Sequence, residues 1–147
     1  MDKRYSDALI LKKPAWEEMT DEEAVGLYQN ARNRTSHLSV IGNGAQSAIC
    51  LMLAARFMPD EIHIFPLMGC GIDHFLKEVS KRVSFLYFIC APIRIYVSSS
   101  LTDYEKGKIK RLLRSVSSFQ KEIVYVENEF EAYRSLTNLY KTTKTLA

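Results

Sequence analysis

Covalent and metal staples are scarce in this chain. Of its 147 residues only Cys50, Cys70 and Cys90 are cysteines, an odd number without a C-x-x-C pair, which argues against a disulfide framework and a standard zinc site. Cys50 and Cys90 stand inside apolar runs, where cysteine serves as a small core residue. Four prolines and six glycines exclude a collagenous or low-complexity chain. The longest apolar runs, residues 48–55 and 85–93, fall well short of the roughly 20 residues that cross a bilayer. Neither charge dominates: 20 basic against 17 acidic side chains leave +3, too little for the whole chain to act as a polyanion binder.

The remaining composition is that of a folded domain. Hydrophobic residues make up 47% and charged residues 25%, enough apolar surface to offset chain entropy. The length fits one domain that buries roughly two thirds of its unfolded surface. Its ends are expected to be loose, residues 1–6 for want of a core pattern and 141–147 (KTTKTLA) as a polar tail. The start, Met1-Asp2-Lys3-Arg4-Tyr5, leads into only four apolar residues before Lys12-Lys13-Pro14, too short for a signal-peptide core. The expectation is a cytoplasmic protein, or one exported without an amino-terminal signature, and no membrane partner.

Strand and helix patterns alternate along the chain. Residues 8–12 read as a short edge strand interrupted by Pro14, and Trp16 as a residue that staples the next helix to the core. Thr20-Asp21-Glu22-Glu23 has capping-box spacing, followed by Ala24, Leu27, Tyr28 and Ala31 on one helical face. Residues 38–41 (LSVI) form a strand, Gly42-Asn43-Gly44 a turn, and residues 45–58 a helix with no charge before Arg56. A helix apolar on nearly every side must be covered nearly all round. Residues 61–65 (EIHIF) read as a strand, Gly69-Cys70-Gly71 as a loop, and 72–82 as an amphipathic helix.

The run 83–90 (VSFLYFIC) fits a buried strand or a continuation of that helix; its aromatic and β-branched content favours strand. Residues 93–97 alternate as a half-buried strand, and Ser98 to Ser100 form a loop. Thr102-Asp103-Tyr104-Glu105 opens a second capped helix, 122–126 a strand, and 129–140 a last amphipathic helix. This order predicts a single α/β domain of the Rossmann-like kind, a mostly parallel sheet flanked by helices on both faces. An all-helical bundle over the first ninety or so residues is the alternative architecture that periodicity leaves open.

The sharpest chemical signal lies at the turn. Gly42 and Gly44 permit a backbone that β-carbons disfavour, and the helix behind them presents unpaired N–H groups and a positive dipole end to an anion. A strand precedes the turn and a helix and strand follow, as a phosphate loop requires. At these residues the chain resembles a known family: Ile41-Gly42-Asn43-Gly44-Ala45-Gln46-Ser47, with residues 61–65 as the next strand, looks like the dinucleotide loop of the ornithine cyclodeaminase and mu-crystallin family. That resemblance, confined to residues 38–65, implies a nicotinamide dinucleotide with Gly42, Gly44, Gln46 and Ser47 around its pyrophosphate. The turn is also similar to that of phosphosugar-isomerase domains, whose serines hold a sugar phosphate. Ser47 and Ser98 to Ser100 are the serines to compare.

Two features depart from the dinucleotide pattern. An acidic residue belongs at the end of the second strand to bind ribose hydroxyls, and Phe65-Pro66-Leu67 stands there. The chain also has no room for the cyclodeaminase substrate domain and no matching catalytic residues. The plain alternative is a tight βα turn without a ligand.

Other candidates are weaker. Cys70, Asp73 and His74 gather a thiol and an imidazole near a helix start, yet catalytic Cys and His are usually joined by the fold, and as metal ligands they are too few. His37 and His63 read as a loop and a strand residue. Lys106, Lys110 and Arg114, with Lys108 and Arg111 beside them, make a basic helix stripe that lacks aromatics for base stacking apart from Tyr104. It reads as a solvated face and argues against nucleic acid. Two functions follow. The first is a ligand-binding domain that takes a nucleotide or other phosphate-bearing small molecule at Gly42, Asn43, Gly44, Gln46 and Ser47. The second is a non-catalytic protein-interaction module, such as an adaptor, an immunity-type inhibitor or a regulatory subunit, that keeps the frame without the site and meets a protein partner or a second copy of itself. No catalytic residue, cofactor or metal is assigned.

Overall fold

A computed structural model of the chain describes residues 7–13, 17 and 19–142. Its strands are β1 (Asp7–Ile10), β2 (Leu38–Asn43), β3 (Glu61–Phe65), β4 (Ile93–Ser98), β5 (Lys121–Val126) and the two-residue β6 (Lys141–Thr142). Between them run α1 (Asp21–Arg32), α2 (Gln46–Arg56), α3 (Ile72–Arg82), α4 (Asp103–Ser115) and α5 (Glu129–Leu139). All strand pairs are parallel, in the order β5-β4-β3-β2-β1-β6. The expected α/β domain with a parallel sheet is therefore present.

The order of the strands decides where the helices go. Right-handed crossovers that step steadily from β1 to β5 must place their helices on one face of the sheet. Accordingly α1 to α4 contribute Leu27, Leu51, Phe75 and Ile109 to one core, which also takes Val40, Ile62, Ile64 and Ile95 from the strands. From β5 the chain returns to the far side of β1, so its helix lies on the opposite face. There Tyr133 and Leu136 of α5 cover Ile10, Ile41, Phe65 and Tyr96. With both faces covered, β2 and β3 read as near-continuous buried runs.

α2 lies deepest, buried from Gln46 through Ala54. Caps set the helix starts around it. Thr102 forms a full capping box with Glu105, whereas at Thr20 the hydroxyl accepts from the Glu23 N–H at 3.1 Å and the Glu23 carboxylate lies 3.5 Å from the Lys13 ammonium. Asp60 ties the ends of two connections together: one carboxylate oxygen accepts from the Leu38 N–H and from Arg32, both at 2.6 Å.

Four expectations change. Cys50 is buried as expected, but Cys90, also read as a core residue, is exposed, because its segment turns at the rim of the sheet. Residues 83–90 are not a strand: a 3₁₀ turn, Leu86–Phe88, forms there. β3 and β4 are already paired side by side, so the segment has no sheet partner and turns at the rim with Phe85, Tyr87 and Phe88 64%, 70% and 58% exposed. β1 is not an edge strand, because β6 pairs along its outer side. The same pairing takes Lys141 and Thr142 out of the predicted loose tail, since backbone pairing needs no apolar side chain. Trp16 and residues 143–147 lie outside the described residues.

Candidate functional site

The five predicted loop residues meet at the carboxyl end of β2. Gly44 has φ 49° and donates its N–H to the Phe65 carbonyl at 2.9 Å; the Ser47 N–H donates to the Gly44 carbonyl at 3.1 Å. Ala45, at the cap of α2, has no side chain to accept from the first turn, and no acidic residue stands in that turn. The positive helix end is thus left to the backbone. The turn faces inward, with Gln46 and Ser47 fully buried. Gln46 Nε2 donates to the Lys13 carbonyl at 3.5 Å, and the Ser47 hydroxyl and Asn43 Oδ1 are buried without a hydrogen-bond partner.

Gly42 answers to packing. A Cβ there would stand 2.5 Å from Cys50 Sγ and 2.9 Å from the Gln46 carbonyl oxygen, so glycine is what lets α2 lie directly against β2.

The second candidate cluster is divided among separate partners. The Cys70 thiol donates to the Pro66 carbonyl at 2.9 Å, while Asp73 accepts from the Tyr104 hydroxyl at 2.9 Å. On α4 the basic stripe meets more aromatic surface than the sequence suggested: Lys108 lies 5.3 Å from the Tyr104 ring and Lys106 6.0 Å from that of Tyr125. Tyr125 comes from β5, some twenty residues on, which is why local spacing did not reveal it.

A polar network beneath α5 escaped sequence reading altogether. His63, on β3, is fully buried. Its Nδ1 lies 2.9 Å from the Tyr96 hydroxyl, and its Nε2 lies 3.1 Å from Glu61 Oε1 and 3.3 Å from the Tyr140 hydroxyl. Arg94 stands near enough to the Tyr96 hydroxyl to pull its pKa down, and its Nε lies 3.1 Å from Glu122.

Donor logic fixes the protons. The Glu61 carboxylate can only accept at Nε2, so at Nδ1 the Tyr96 hydroxyl is the donor. Nε2 then carries the ring proton and donates to the Glu61 carboxylate. Burial pushes the Tyr96 hydroxyl pKa up against the pull of Arg94, burial and then Glu61 push that of Tyr140 up, and burial takes that of Tyr133 up to about 12. All three phenols therefore stay protonated. The register that makes this network, His63 beside Arg94 and two residues from Tyr96 on the same face, is set by strand pairing. A histidine flanked at i−2 by a glutamate in a strand was the one signal available, since i and i−2 share a face.

The network backs an open pocket of about 440 Å³ at the amino-terminal rim of β3, β4 and β5, lined among others by Glu61, Arg94, Glu122, Gln120 and Phe119. At the opposite rim the Ser98 N–H donates to Glu129 at 2.8 Å, and the Ser98 and Ser100 hydroxyls lie 2.8 Å apart. Among the described residues no group of three or more His, Cys, Asp and Glu is placed to hold a metal ion, and no helix is long and apolar enough to cross a membrane.

No family model matches the sequence, and no curated protein matches it. Among solved structures, one described as "LipS and LipT, two metagenome-derived lipolytic enzymes" shares the architecture, with a TM-score of 0.55 and 13% identity over 82% of this chain and 74% of that one. At that identity the likeness is one of fold: an α/β arrangement that is also found in a lipolytic enzyme.

Proposed function

We propose that the chain is a non-catalytic binding module built on a hydrolase-like α/β frame, and that it meets a protein partner. The observation that carries this is the residue at the apex of the β2–α2 turn. In α/β-hydrolases such a strand–turn–helix holds a nucleophile in a strained conformation, in a G-x-S-x-G sequence. Here Gly42-Asn43-Gly44-Ala45-Gln46 keeps the first glycine of that pattern, with glycine at the nucleophile position and glutamine at the last, and has positive φ at Gly44. Glycine keeps the geometry and supplies no hydroxyl or thiol. The nearest alternatives, Ser47 and Cys50, are fully buried.

Support for a partner comes from the opposite rim, where Phe85, Tyr87 and Phe88 stand more than half exposed. Exposed aromatics in such number mark interaction surfaces. Phe85 and Tyr87 share a groove with Ser115, on the last turn of α4, which also carries Arg114. The fitting partner is a protein with an apolar patch rimmed by carboxylates.

Two measurements test this. The purified chain is expected to hydrolyse p-nitrophenyl butyrate no faster than background, and a stoichiometric partner that co-purifies with the wild type is expected to be lost from the double variant Phe85→Ser, Phe88→Ser. Turnover above background that vanishes in Ser47→Ala or Cys70→Ala overturns the proposal.

The buried Ser47 hydroxyl and Asn43 oxygen without partners, beside an uncapped helix start, favour a second reading, a phosphate-bearing ligand at residues 42–47. Thermal stabilisation by ADP, NAD or glucose 6-phosphate that is lost in Gly44→Val is its test. The absence of any shift removes it.

A further inference from the structure

The pocket at the amino-terminal rim of β3, β4 and β5 belongs to neither reading, and its chemistry specifies a ligand. We propose that it binds a neutral sugar through the hydroxyls of a pyranose ring. Its floor is the Glu61 carboxylate, 94% buried by side chain and backbone together, and its wall is the Arg94 guanidinium beside Glu122. Acceptors and donors thus alternate over a short distance. A group facing both must donate and accept at once, which a hydroxyl does and an ammonium does not.

Charge points the same way. The lining sets Glu61 and Glu122 against Arg94 and Lys121, whose ammonium donates to the Val116 carbonyl at 3.0 Å, so its formal charges balance. An anion there would lie beside the two carboxylates and a cation beside the guanidinium, each at a cost. A neutral ligand meets neither penalty.

Rigidity makes the arrangement fit to bind. Glu61 is held by His63, which is held by Tyr96 and Tyr140, and Arg94 pairs with Glu122. Groups locked by neighbours lose little entropy when a ligand arrives. At the mouth Phe119 is fully exposed, an apolar ring with no packing role in the fold, which is the partner that the C–H face of a pyranose needs. A volume of about 440 Å³ lies in the range of small-ligand sites.

Saturation-transfer NMR on the whole chain tests the proposal, with methyl α-D-glucoside, methyl α-D-mannoside and methyl β-D-galactoside as sugars and glycine and inorganic phosphate as charged competitors. At least one glycoside is expected to receive saturation at its ring C–H protons at millimolar concentration. Its affinity should fall at least tenfold in Phe119→Ala and in Glu61→Gln and stay unchanged in Tyr87→Ser, which lies outside the pocket. Phe119→Ala removes a fully exposed ring and leaves the fold intact, so it decides even if Glu61→Gln unfolds. The proposal is overturned if no glycoside is saturated, if Phe119→Ala binds as the wild type does, or if glycine or phosphate displaces the sugar.

Discussion

Cys50 Sγ stands 2.5 Å from the point where a Cβ on Gly42 would be. Gly42 is fixed by the closeness of α2 to β2, whether or not anything binds at the turn. Gly42→Ala is expected to lower stability by about 1–3 kcal/mol, as overpacking does, and Tm by roughly 3–10 °C. Adding Cys50→Ala should restore only part of it, because the Gln46 backbone oxygen stays 2.9 Å from the new methyl. Full restoration in thermal melts would show that the sulfur alone sets the constraint.

The histidine network predicts an order of effects. Tyr96→Phe leaves Nδ1 of the fully buried His63 without its partner and should cost about 1–3 kcal/mol. Tyr140→Phe should cost less, because Glu61 still holds Nε2. Urea unfolding of the two variants measures the order, and the reverse order would contradict the proton assignment.

Two carboxylates give opposite pH dependences. Burial pushes the Asp60 pKa up, but hydrogen bonds from Arg32 and the Leu38 N–H outweigh it, and the net shift is downward. A carboxyl whose pKa is lower in the folded state contributes stability that is present above its unfolded value, near 4, and is lost as pH falls through the folded one. Wild-type stability should therefore drop more steeply below about pH 4 than that of Asp60→Asn.

Glu129 behaves in the other sense. Burial raises its pKa, only partly opposed by the Ser98 N–H, so its contribution is present below the unfolded value and lost as pH rises through the folded one. Glu129→Gln keeps an acceptor for Ser98 and should be more stable than the wild type at pH 7, with the difference gone below about pH 4. Equal melting curves at pH 7 would contradict this.

Thiol accessibility is graded. Cys90 is exposed, Cys70 partly covered and Cys50 buried, and burial pushes the Cys50 thiol pKa up. Ellman's reagent should label Cys90 first, Cys70 more slowly, and Cys50 only in urea. Rapid labelling of Cys50 in the native protein would contradict the packing of α2.

Much of the fold was legible because local patterns and the final structure agree. Thr102 and Glu105 announced a helix start that forms as a full capping box, and the uncharged run behind Gly44 announced a helix covered all round. The segment 83–90 misled because aromatic and β-branched residues mark strands only where a neighbouring strand has a free side, and its neighbours had already paired. The candidate loop was legible as a turn, but its inward direction was not. Glycine spacing describes backbone freedom and says nothing of what packs over it.

The sequence by itself determined the alternation of strands and helices, the glycines at the β2–α2 turn and the apolar helix behind them, since these depend on neighbours within a few residues. Only the tertiary structure decided that Glu61, His63, Tyr96, Arg94, Glu122 and Tyr140 form one network, and that Phe119 stands at the mouth of the pocket in front of it. Those residues come from three strands, a loop and the end of a helix, up to 79 positions apart (Glu61 to Tyr140). Strand register, which brings them within hydrogen-bond reach, arises from pairing between distant segments and leaves no mark in local spacing.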